Sequence, residues 1–167
     1  MPQSSTLELT APGPADTLSL GASLARSLNA PAQAAFVIAL KGELGAGKTT
    51  VVRGFLRELG VAGTVRSPTF TLLENYSVPS FEISHLDLYR LRAPEEVDAL
   101  GIRDLLEPGR VLLIEWPELG RGALPAADLE VELSVAPVGR RIAIGARSEA
   151  GEAVLARLKG AAGLAEV

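Results

Sequence analysis

A short apolar run, Ala34-Ala35-Phe36-Val37-Ile38-Ala39-Leu40, leads directly into Gly42-Glu43-Leu44-Gly45-Ala46-Gly47-Lys48-Thr49. The chain continues as Thr50-Val51-Val52-Arg53-Gly54-Phe55-Leu56-Arg57-Glu58-Leu59, with apolar residues at helical spacing and Gly60 as a stop. The middle segment fits G-x-x-x-x-G-K-[ST], and its flanks read as strand before and helix after, the context this phosphate-binding loop requires. Glycine lets the backbone turn several N–H groups inward, and the helix N-terminus adds its positive dipole end. The expected phosphate cradle is Glu43, Leu44, Gly45, Ala46, Gly47, Lys48, Thr49 and Thr50. Lys48 is expected to reach the β- and γ-phosphates, and the Thr49 hydroxyl to be a ligand of Mg²⁺. The chain is therefore expected to bind a nucleoside triphosphate.

A length of 167 residues suits one domain, residues 1–167, with a core of its own. Hydrophobic residues make up 47% and aromatics 4%, so that core must be mainly Leu, Val, Ile and Ala. A net charge of −4 gives no general attraction for nucleic acid. The absence of cysteine excludes disulfides and thiolate metal sites. Met1 to Thr10 lacks a basic region followed by an apolar run, and no apolar stretch approaches membrane-spanning length. A soluble, cytoplasmic protein without membrane contact is the expectation.

Thr6-Leu7-Glu8-Leu9 alternates and predicts an edge strand, broken by Ala11-Pro12-Gly13-Pro14. A helix is predicted from Asp16 or Thr17, closed by Asn29-Ala30-Pro31. Thr69 to Val78 and Phe81 to Leu88 read as two strands of a hairpin around Pro79-Ser80. Pro94-Glu95-Glu96 resembles a helix start, and Gly101 divides two short helices. Val111-Leu112-Leu113-Ile114 suits a buried parallel strand. Leu129 to Val135 and Arg140 to Gly145 alternate strictly around the turn Pro137-Val138-Gly139, and Glu149 to Lys159 predicts a C-terminal helix. The fold class is α/β: a P-loop NTPase fold whose mixed sheet is mainly parallel at its centre, flanked by helices, with antiparallel edges.

A P-loop needs an acidic partner at a neighbouring strand end to hold the metal through its waters. Asp87 ends Phe81-Glu82-Ile83-Ser84-His85-Leu86, and Glu115 ends Val111 to Ile114. An apolar run closed by one carboxylate marks a buried strand emerging at the ligand-binding edge of a sheet. Burial there without a cation is costly, so a bound metal supplies a physical reason for each acid; both can serve, one on the metal and one on the attacking water. Arg66-Ser67-Pro68-Thr69 follows the P-loop helix, where a γ-phosphate-sensing loop would lie. Its hydroxyls suit the γ-phosphate or the metal's waters, and a plain strand-initiating turn is the alternative. His85 is the only histidine, which argues against a histidine triad or cluster. A lone histidine beside a strand more often satisfies one hydrogen bond. Trp116 follows Glu115; core packing is its default, with the nucleotide or a partner surface as alternatives.

Guanine-specific proteins use N-K-x-D, and neither Asn29 nor Asn75 precedes a lysine. Asp98-Ala99-Leu100-Gly101 mimics D-x-x-G but falls in a helical stretch. ATP is therefore the expected nucleotide. Two other readings fit the P-loop and size. A small-metabolite kinase would draw acceptor-binding arginines from Arg90, Arg92, Arg103, Arg110 and Arg121. A nucleotide-switched module would act on a partner protein.

Four ordered segments are more specific than the P-loop alone. Gly42 to Thr50, Ser67-Pro68-Thr69-Phe70-Thr71-Leu72, His85-Leu86-Asp87-Leu88-Tyr89-Arg90-Leu91 and Glu115-Trp116-Pro117-Glu118 together resemble the TsaE (YjeE) family. Members are small bacterial ATPases required for threonylcarbamoyl modification of adenosine 37 in tRNA. The resemblance implies an ATPase that works with a TsaB–TsaD heterodimer, where TsaD performs the carbamoyl transfer and the nucleotide cycle resets the complex. By position, Thr49 and Glu115 match the family's Mg²⁺ ligands, Asp87 the Walker-B-like aspartate, and Thr69 the switch-like loop. Arg140, in Gly139-Arg140, matches a position near the nucleotide, suited to stack on adenine or meet a phosphate. Thr10 to Pro14 would border the adenine. No residue reads as an intrinsic arginine finger, so slow hydrolysis by the isolated chain is expected. The acidic balance makes tRNA an indirect partner.

Overall fold

A computed structural model describes residues 4–31, 33–68 and 70–161. Seven strands form one sheet in the order β1-β7-β6-β2-β5-β4-β3. They are β1 (Thr6–Ala11), β2 (Phe36–Lys41), β3 (Leu73–Ser77), β4 (Glu82–Asp87), β5 (Arg110–Glu115), β6 (Leu129–Val135) and β7 (Arg140–Ala146). The helices are α1 (Pro14–Ser27), α2 (Lys48–Glu58), the single turn α3 (Glu96–Ala99) and α4 (Glu149–Lys159). The middle of the sheet, β6-β2-β5-β4, is parallel, whereas β1-β7-β6 and β4-β3 pair antiparallel. Parallel at its centre and antiparallel at both edges, the sheet has the expected class.

The apolar run of β2 follows from its position between β6 and β5, buried on both faces. Phe36, Ile38 and Leu40 face a core built with α1, α2 and α4, including Leu24, Phe55, Leu56 and Leu155. Val37 faces the other way, into a smaller core with Leu86, Leu88, Leu112 and Ile114 that α3 closes through Val97. The period of two also divides β4 and β5: Ile83 and Leu113 lie in the helix-covered core, Leu86, Leu112 and Ile114 in the other. His85, Asp87 and Glu115 therefore share the α2 face.

Helices α1 and α2 cross at glycine. A Cβ on Gly21 would collide with the Val51 carbonyl oxygen, and one on Gly54 with that of Leu18. These reciprocal contacts press α2 against its neighbour and fix where its N-terminus stands.

Several boundaries differ from the sequence expectation: β1 runs on to Ala11 and β4 spans Glu82–Asp87 rather than Phe81 to Leu88, and two larger shifts have a local cause. Helix α1 starts at Pro14, whose fixed φ suits the first helical position, and Asp16 Oδ2 accepts the Gly13 N–H at 2.9 Å. Strand β3 starts at Leu73 rather than Thr69, because Leu72 adopts a left-handed φ of 60° that breaks the extended run. Phe70 lies before that break and is 88% exposed. Thr69 lies outside the described residues. Helix α4 has the expected bounds, capped by Ser148 Oγ accepting the Gly151 N–H at 3.0 Å. No helix among the described residues is long and apolar enough to cross a membrane.

Candidate nucleotide site at the carboxyl edge of the sheet

The chain leaves β2 and turns through Gly42, Gly45 and Gly47, at φ of 145°, 78° and 110°, before entering α2. Gly42 is the sterically demanding position: a Cβ there would run into the Leu133 carbonyl oxygen. The Ala46 N–H closes the loop on Glu43 O at 3.0 Å, and the Val51 N–H begins the helical ladder on Gly47 O at 3.0 Å. The N–H groups of Glu43, Leu44, Gly45, Gly47, Lys48, Thr49 and Thr50 have no acceptor among the described residues. This concave set of free donors at a helix N-terminus is the chemistry of an anion cradle. Of the expected cradle, only the Ala46 amide is used within the loop itself.

Lys48 opens α2 and is 4% exposed. Its Nζ donates to Gly42 O at 2.5 Å and Glu43 O at 2.9 Å, and lies 4.1 Å from the centroid of the Trp116 ring. Burial pushes its pKa below the ordinary lysine value, against the opposing pull of Glu115, Asp87, Glu118 and Glu43.

Beside it, Thr49 Oγ1 donates to Glu115 Oε1 at 2.8 Å, and His85 Nε2 meets Glu115 Oε2 at 2.6 Å. Asp87 and Glu115 are register partners on adjacent parallel strands. Asp87 Oδ2 accepts the Ser67 hydroxyl and Oδ1 the Tyr89 N–H, the latter at 3.0 Å. The structure thus brings Lys48, Thr49, Asp87 and Glu115 together around a cleft of about 390 Å³. Thr49, Asp87 and Glu115 offer only oxygen donors, which suits a hard dication such as Mg²⁺. Among the described residues no three His, Asp or Glu side chains form a cage.

Arg140, at the start of β7, reaches the outer side of the loop. Nε donates to Ala46 O at 3.0 Å, Nη2 to Gly45 O at 3.1 Å and Nη1 to Gly139 O at 3.0 Å. It borders a second cleft of about 320 Å³ with Ala11, Pro12, Gly13 and Pro14. Gly45, Gly47 and Thr50 line both clefts, so the two flank the same helix N-terminus.

Three relationships sharpen the sequence reading. Ser67 engages Asp87 within the chain. His85 does satisfy one hydrogen bond, but its partner is the candidate metal ligand; the alternation His85, Leu86, Asp87 was the available signal. Trp116 packs against the smaller core but is only half-buried; at a left-handed φ of 58° it also lines the cleft around Lys48, with its ring centroid 5.1 Å from that of Tyr89. Its place one residue beyond a buried strand carboxylate was the clue.

Fold and loop define an α/β domain of the P-loop type. The family described as threonylcarbamoyl adenosine biosynthesis protein TsaE matches residues 11–142, a span that holds Glu43 to Thr50, Thr69, Asp87, Glu115 and Arg140. The TsaE protein of Haemophilus influenzae is 44% identical over 72% of this chain and 77% of its own length. That of Bacillus subtilis is 36% identical over 63% of this chain and 72% of its own. The crystal structure of Bacillus subtilis YdiB superposes with a TM-score of 0.73 at 26% identity, covering 96% of this chain and 98% of that one. The chain belongs to the TsaE family.

Proposed function

We propose that this chain binds Mg·ATP in the cleft around Lys48 and hydrolyses it slowly, stimulated by a TsaB–TsaD heterodimer. Its nucleotide cycle would support threonylcarbamoylation of adenosine 37 of tRNA in the cytoplasm. Family membership supports the pathway. The observation that carries the chemistry is the meeting of Thr49, Asp87 and Glu115 with a row of free amides.

The free amides and Lys48 bind the phosphates. Thr49 and Glu115 hold the metal end, Asp87 orients water or a metal-bound water, and Thr69, assigned to the switch-like loop by resemblance alone, would meet the γ-phosphate or the metal's waters. Once bound, the dication would neutralise charge on the β- and γ-oxygens. Arg90 lines the cleft but lays its guanidinium 5.5 Å from the Phe70 ring centroid. That orientation supports a weak basal rate, since an arginine on the transferring phosphate is worth roughly 10³–10⁵ in turnover. With a net charge of −4, the chain meets tRNA only through its partners.

Phosphate release from ATP and Mg²⁺, measured with and without purified TsaB–TsaD, tests the proposal. Stimulation that Lys48→Ala abolishes is expected. ATP consumption that instead requires an added small-molecule acceptor would establish the kinase reading.

A further inference from the structure

His85 and Glu115 are both buried, 0% and 2% exposed by side chain. Each Glu115 oxygen has one fixed donor: His85 at Oε2 and the Thr49 hydroxyl at Oε1. His85 Nδ1 is buried with no partner among the described residues. A proton on Nδ1 would be a buried donor without an acceptor, so the network assigns the proton to Nε2, where Glu115 receives it. Strand β4 holds the imidazole in place, because Ser84, His85 and Leu86 are all buried between β3 and β5.

The order of these bonds has a directional result. With Oε2 held by His85, the carboxylate cannot rotate, and Oε1 remains aimed at Thr49. Thr49 then sends its only proton inward to Oε1, which leaves the Oγ1 lone pairs facing the cleft. A carboxylate free to rotate would let that hydroxyl turn and present its proton to an incoming cation instead.

We propose that His85 is a positioning residue for the metal end of the site: through Glu115 it sets the Thr49 hydroxyl to receive a divalent cation. The inference rests on the Mg·ATP reading above. Outer-shell partners of this kind typically change metal affinity or activity by about 10- to 100-fold.

The test is the gain in ATP affinity when Mg²⁺ replaces EDTA, read by calorimetric titration of the full chain. His85→Gln keeps an amide donor near the place of Nε2. His85→Asn is also polar but too short to reach Glu115. We expect His85→Gln to keep the Mg²⁺-linked gain within about threefold and His85→Asn to lose about 10- to 100-fold of it. Both should leave affinity in EDTA unchanged. Equal losses in the two variants, full retention in His85→Asn, or a loss already present in EDTA would overturn the positioning role. Absence of any Mg²⁺-linked gain in the unsubstituted chain would instead sink the metal reading, and the role of His85 with it. Thermal melts of both variants give the fold control, and a melt change shared by both leaves their difference in Mg²⁺ linkage readable.

Discussion

The Lys48 ammonium lies over the Trp116 ring, 4.1 Å from its centroid, while two carbonyls of its own loop accept its protons. Both contacts hold a buried cation inside the candidate nucleotide cleft. A phosphate entering the loop competes for the same ammonium and offers full negative charge in place of carbonyl dipoles. The lysine is thus poised between the loop and a ligand, with an aromatic ring as its near neighbour.

Trp116 is the only tryptophan, so its emission reports on that contact. ATP binding should change the intrinsic fluorescence as Lys48 leaves the ring for the phosphates. Lys48→Ala should remove the change and weaken ATP binding by about 10- to 100-fold, the scale of a charge-assisted hydrogen bond. An unchanged amplitude in Lys48→Ala, at saturating ATP, would show that the ring senses something other than the lysine.

Arg140 contacts the loop through carbonyls, which its planar fork can bridge at Gly45 and Ala46 together. Removing it should let the loop relax and lower ATP affinity by about tenfold, equally with Mg²⁺ and with EDTA. Arg140→Lys should not restore it, because an ammonium lacks the fork. Tripolyphosphate affinity separates clamp from base stacking: a clamp predicts the same loss as for ATP, whereas stacking on adenine predicts no loss.

What the sequence disclosed depended on how local each signal was. Strand, loop and helix around Lys48 are contiguous, so the course of that loop could be read outright. Asp87 and Glu115 were legible because each carboxylate closes an apolar run, and the period of two puts them on one face. Arg140 is 94 residues from Ala46, and nothing in Gly139-Arg140 shows that β7 passes behind the loop. The start of β3 was misplaced because strand propensity in Thr69 to Leu72 yields to the left-handed turn at Leu72. Thr69 itself, placed in the switch-like loop by resemblance, lies outside the described residues.

Gly54 gave no sign of its role, since a glycine inside a helix usually just weakens it. In the fold its hydrogen faces the Leu18 carbonyl, where a methyl has no room. Gly54→Ala should therefore destabilise the chain by about 1–3 kcal/mol despite higher helix propensity. Gly21→Ala should act likewise against Val51. Because either substitution pushes the same two helices apart, the double variant should lose less than the sum. Denaturant midpoints decide it, and a stabilised Gly54→Ala would mean that the helices cross more loosely.

Acid should loosen the edge of the sheet. Glu152 on α4 accepts the Ser5 N–H at 3.1 Å, one residue before β1, and that bond holds its carboxyl below the ordinary value of 4.5. Burial pushes Glu130 on β6 upward, but Lys41 and Arg147, at 3.2 and 3.0 Å, outweigh it and bring the net shift downward. For both groups the folded chain releases its proton more readily than the unfolded chain. Their stabilising effect is therefore complete above the unfolded value and disappears as pH falls through the lower folded values. Thermal midpoints should be flat from neutral pH to about pH 5 and fall steadily below about pH 4.5. Glu152→Gln should reduce that acid slope, and exchange of the Ser5 amide should become faster at neutral pH. If the slope and the exchange rate were both unchanged in Glu152→Gln, the Ser5 contact would have no part in holding β1 to the domain.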